Sequence, residues 1–226
     1  MGRLPIRTLL ARYAVAWAYL AAVVGAEIGY AALSRHDQSA LLQWASTNVV
    51  NLRHDPVSSL VTSAFFAAAS TTAWPVLIAL AMFGANRVLG NWRTALVCAA
   101  GQVIGTLVSE GIVSYQVAHG LLPAADRYII DVGPSYVVVS AITVALLYGT
   151  WLARAAAAAD LAILVVVGHI FSGLSRLDVA AVGHVTAIAV AAVLGSFLAW
   201  RLRHTGTARW TGRAPADGQE PALGPD

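Results

Sequence analysis

Between residues 13 and 200 the chain alternates apolar runs with short polar breaks, and this alternation limits the fold more than any single motif. A helix crosses a bilayer with about 20 mostly apolar residues. By that rule six segments are expected to span: 13–33, 72–89, 94–115, 133–151, 159–174 and 179–200. Residues 57–69 are apolar but short, and read as a re-entrant or interfacial piece. Charged residues are 11% of the 226-residue chain and hydrophobic ones 58%, with mean hydropathy +0.70. Soluble domains carry about 25% charged residues, so the chain is read as an integral membrane protein. The first apolar run follows Arg3, Arg7 and Arg12 as in a signal peptide, but is long enough to span and is expected to stay uncleaved. The segment 201–226, rich in Gly, Pro, Ala and charge, is expected to be a disordered tail.

Arginine supplies all 14 basic residues and sets the expected orientation. With six spans, both termini share a side. Ten arginines then lie on that side (Arg3, Arg7, Arg12, Arg87, Arg93, Arg154, Arg201, Arg203, Arg209, Arg213) and four on the other (Arg35, Arg53, Arg127, Arg176). The positive-inside rule places both termini in the cytoplasm, in a plasma membrane, with residues 34–56 outside. A formal net charge of +3 gives no reason to expect nucleic acid. Cys98 is the single cysteine, so no intrachain disulfide forms. No motif for a metal or nucleotide is present and no cofactor is expected.

The chemistry concentrates at Asp131-Val-Gly-Pro-Ser-Tyr136, which opens the fourth span. Pro134 suits a first helical turn, which places Ser135 beside backbone N–H groups that lack intrahelical partners. Such donors and a hydroxyl are half of what acyl transfer requires. The other half is a base. His184 lies about 8 Å into the sixth span, which runs in the same direction as the fourth, so both residues are expected at a similar shallow depth under the outer face. An imidazole there would take the serine proton. His169 is a rival base, with an interfacial or hydrogen-bonded core histidine as the plainer reading. Glu27 and Glu110 lie in or near apolar spans, where a hydrogen-bonded carboxylate is the plain reading and a proton path the sharper one. Asp131 and Asp178 precede helices and read as N-terminal caps. The minority reading for Asp131 is that it orients a histidine.

These residues resemble the rhomboid family of intramembrane serine proteases. The resemblance rests on Gly133-Pro134-Ser135-Tyr136 and on His184 followed by Ala187, Ala191 and Gly195, small residues that let helices approach closely. Residues 83–93 resemble the family's junction between helices two and three, and residues 60–66 the end of its first embedded loop. The resemblance implies an all-α, polytopic bundle of six transmembrane helices over residues 1–200. It implies a Ser135–His184 dyad, shaped by Gly133, Tyr136 and Thr72, that cleaves transmembrane protein substrates near the outer face without a cofactor.

The sequence also departs from the family pattern. Thr72 and Val76 occupy the best match to the family's His and Asn oxyanion donors on helix two. Tyr136 replaces the usual Gly after the serine, and Val139 the aromatic residue that packs on the histidine. Asn86 replaces a glutamate in the junction, and Pro134 removes a backbone donor just before the serine. Two alternatives therefore stand beside the protease: an inactive rhomboid-like protein that binds client membrane helices, and a small transporter using Glu27, Glu110 and His169.

Overall fold

The computed structural model describes residues 6–67 and 73–210, and every regular element among them is helical. Ten α-helices follow in order: α1 (Ile6–Arg12), α2 (Ala14–Ala31), α3 (Arg35–Ala45), α4 (Val49–His54), α5 (Pro56–Thr62), α6 (Trp74–Leu89), α7 (Asn91–Ala118), α8 (Ser135–Tyr148), α9 (Trp151–Val166) and α10 (Val179–Trp210). The six expected spans correspond to α2 and α6 to α10. Three of them, Ala14–Ala31, Asn91–Ala118 and Val179–Leu202, are long and apolar enough to cross a membrane. The 14-residue α8 rises only about 21 Å, against a hydrocarbon core of about 30 Å. The expected count of six is therefore not reached by length and composition alone.

Caps explain where the expected boundaries move. Thr150 caps α9 by accepting from the Ala153 N–H, so this helix starts at Trp151, eight positions before the expected residue 159. It ends at Val166, and the residues that follow turn back on themselves through Gly173 and Leu177 at positive φ. His169 therefore sits in that turn with φ 49° and is not in a helix. The segment 34–56, read as a polar loop, folds into helices because Ser34, Asn48 and Asp55 each cap one. At the other end α10 continues to Trp210, past the expected boundary at residue 200, because Arg201 to Trp210 contains no proline to stop it.

α8 is the central helix. All ten residues from Tyr136 to Ala145 are buried, as expected of a helix apolar on every side. α7 and α10 approach it where side chains are small. A Cβ on Gly101 would overlap Ser140, and one on Gly183 would overlap the Tyr136 ring. Ala187 and Ala191 are fully buried in the same seam, and Gly195 faces Val144. At the opposite end, Asn86 and Asn91 donate to the Arg12 and Ala11 carbonyls at 2.8 Å each, tying the α6–α7 junction to the start of the chain.

Candidate active site

The head of α8 is held by a segment far away in sequence. Ser46, Thr47 and Asn48, between α3 and α4, are all buried. The Thr47 N–H donates to the Asp131 carbonyl at 2.9 Å, and the Asp131 N–H donates to Ser46 Oγ at 2.9 Å. Two residues on, the Gly133 N–H donates to the Ser63 carbonyl at 2.9 Å. Gln102 of α7 donates from Nε2 to Ser63 Oγ at 3.2 Å. Residues 131–133 are thus an extended segment, with the Asp131 N–H and carbonyl and the Gly133 N–H bonded to residues 46–47 and 63. Gly133 has φ +155°, which side chains rarely adopt.

Pro134 is the N-cap residue of α8 and makes no side-chain cap bond, so Asp131 is not the cap expected of it. Its carboxylate instead accepts from Thr47 Oγ1 at 3.2 Å and from the Tyr136 hydroxyl at 3.3 Å. Burial raises this carboxyl to about 6, partly offset by the Thr47 and Tyr136 hydrogen bonds. Asp178 pairs with Arg176 at 3.5 Å on the surface, and surface pairs contribute little.

Ser135 opens α8 and is half-buried. It lines a polar pocket of about 10 Å³ with Thr47, Ser63, Gln102, Asp131 and Tyr136. His184 is buried on α10 but is not part of that lining. Its Nδ1 lies 3.0 Å from the Ile170 carbonyl. A carbonyl only accepts, so Nδ1 carries the proton and Nε2 presents a lone pair. That Nε2 is buried without a partner. No hydrogen bond joins Ser135 to His184 among the described residues. Tyr136, the next residue after the serine, packs edge-on against the imidazole, with ring centroids 5.0 Å apart and an interplanar angle of 83°. Tyr136 thus occupies the contact that the resemblance assigned to the position of Val139, which is fully buried in the bundle.

Other expected residues fall away from this cluster or outside it. Thr72 lies outside the described residues. Val76 is 59% exposed and turns out of the bundle. His169 is exposed. Glu27 accepts from the Ala67 N–H at 2.8 Å, a structural role that ties α2 to the segment after α5. Glu110 is buried. With Gln102 and Thr106 it forms a stripe at four-residue spacing on α7, each member holding a buried oxygen without a protein partner. Sequence reading missed Ser46, Thr47, Ser63 and Gln102, whose only local signal is polarity within or beside apolar stretches. It also missed Asp160 on α9, buried with neither carboxylate oxygen bonded. An acid within an alanine-rich run is a functional signal by itself.

The fold and this site describe a helical membrane protein with a serine, a buried histidine and a polar pocket at one end of the bundle. A family model described as rhomboid-like protein matches residues 10–203. The chain belongs to that rhomboid-like family. No curated protein and no solved structure gives a match.

Proposed function

We propose that this protein is an intramembrane serine endopeptidase of the rhomboid type, with Ser135 as nucleophile and His184 as general base. The observation that carries the proposal is His184: Nδ1 is committed to the Ile170 carbonyl, and Nε2 is left buried with an unused lone pair. Through Tyr136 that ring touches the helix whose first residue is Ser135. The Ser135 oxygen attacks the substrate carbonyl carbon as its proton passes to Nε2. The proton then goes to the leaving amine as the C–N bond breaks, and water hydrolyses the acyl-enzyme. The unpaired N–H groups in the first turn of α8 supply donors for the oxyanion. Six membrane passages, a plasma-membrane location and cytoplasmic termini belong to the same reading, with a transmembrane protein segment cleaved near the outer face.

A second reading is a non-catalytic binder of client membrane helices. It is favoured by the lack of a Ser135–His184 hydrogen bond and by Val76 turning outward from the family's donor position. Reaction of the purified protein with a fluorophosphonate probe separates the two. Labelling lost in Ser135→Ala supports the protease. An unlabelled wild type that captures membrane segments supports the binder.

A further inference from the structure

We infer that Tyr136 and Asp131 are positioning residues for His184, and that the turn at residues 46–47 sets the imidazole orientation through them. The inference rests on the reading of His184 as a base. Backbone acceptors alone hold this imidazole, the Ile170 carbonyl at 3.0 Å and Ala180 beside it, with Nε2 unbonded, and the torsion next to such a ring is broad. The side-chain restraint is the edge contact with Tyr136. Tyr136 is itself held from several sides. Its ring fills the space over Gly183 that a Cβ would occupy and packs beside Gly105. Its hydroxyl lies 3.3 Å from both Asp131 Oδ2 and the Val179 carbonyl. Asp131 is anchored in turn by Ser46 and Thr47. Restraint therefore passes from the 46–47 turn to Asp131, from Asp131 to the phenol, and from the phenol to the imidazole.

The phenol has a single proton for two acceptors. An ionised Asp131 takes it in a charge-assisted bond, whereas a protonated Asp131 leaves it to the Val179 carbonyl. Asp131, raised to about 6 by burial, changes state within an ordinary pH range. The titratable groups around it are Glu110 from α7 and Tyr136 from α8, while the segment between α3 and α4 presents only the hydroxyls of Ser46 and Thr47. Asp126, Arg176 and Asp178 line the adjoining cleft of about 400 Å³. His184 bears on it only through Tyr136.

The test uses the full chain in detergent micelles, with Tyr136→Phe, Asp131→Asn and the double variant. Tyr136→Phe keeps the ring and removes only the hydroxyl, so the fold is expected to survive. Each single variant should slow fluorophosphonate labelling at pH 7.5 by about tenfold, the scale of one hydrogen bond to a charged group. The double variant should be no slower than either single variant, because both cut the same chain of contacts. Unchanged rates in the single variants, or losses that multiply, would overturn the inference. Histidine ring signals in ¹⁵N NMR give a readout independent of catalysis. Both single variants should move the His184 signals and leave those of exposed His169 in place. Static His184 signals would overturn the inference even if the probe reacts. An unlabelled wild type whose His184 signals still move would sink the protease reading and leave the positioning role standing.

Discussion

Thr47 and Asp131 are bonded three times across 84 intervening sequence steps. The Thr47 N–H and hydroxyl reach the Asp131 carbonyl at 2.9 and 3.0 Å, and the hydroxyl also reaches Oδ2 at 3.2 Å. This contact joins the segment between α3 and α4 to the extended stretch that leads into α8, four residues before the candidate nucleophile. Thr47→Val removes the hydroxyl while keeping the shape. It should destabilise the fold by about 1–2 kcal/mol, the scale for leaving a buried acceptor less satisfied. Thermal unfolding in detergent measures this, and an unchanged transition would show that the backbone bond alone suffices.

The same carboxylate predicts a pH dependence. Its folded-state value of about 6 lies above the ordinary 3.8. Its contribution to stability is therefore fully present below about pH 4 and is lost as pH rises through about 6. Asp131→Asn should flatten that part of the profile between pH 4 and 7. Melting temperatures taken across this window decide the point, and identical slopes in wild type and variant would place the dependence on other groups.

Close packing at Gly183 makes a third prediction. A methyl group there overlaps the Tyr136 ring, and overpacking typically costs about 1–3 kcal/mol. Gly183→Ala should therefore lower the unfolding temperature. Combining it with Tyr136→Ala should give less than the summed loss, because the clash disappears with the ring. Full additivity would mean that α10 shifts to accommodate the methyl group.

If Ser135 and His184 act as a unit, Ser135→Ala and His184→Ala should each abolish probe labelling, and the double variant should match either one. Ser135→Ala removes one hydroxyl from a half-buried site, so folding should be retained. Labelling that survives in Ser135→Ala would locate the reactive group elsewhere.

Orientation is tested with single cysteines on a Cys98→Ser background. A cysteine at position 220 should resist a membrane-impermeant maleimide in intact cells, and one at position 36 should react. The reverse pattern would invert the arginine-based topology.

The membrane class and the order of the apolar segments were legible in the sequence because hydropathy is a local property, readable residue by residue. The placement of Ser135 at a helix start was legible too, since Gly133 and Pro134 mark that boundary with backbone restrictions of their own. Family membership followed from the same motifs, and the match over residues 10–203 agrees with it. Helix ends were less legible. α9 is set by the Thr150 cap, and a window that sums hydropathy does not register one hydroxyl. The partners of the site were not legible at all. Nothing near Thr47 in sequence points to Asp131, and nothing near Tyr136 points to His184 rather than Ser135. Those pairings depend on how closely α7, α8 and α10 approach at Gly101, Gly105 and Gly183. Local composition determines which segments leave water. Only the packed bundle decides which of their polar groups then meet, because each must find a partner wherever the other helices leave one.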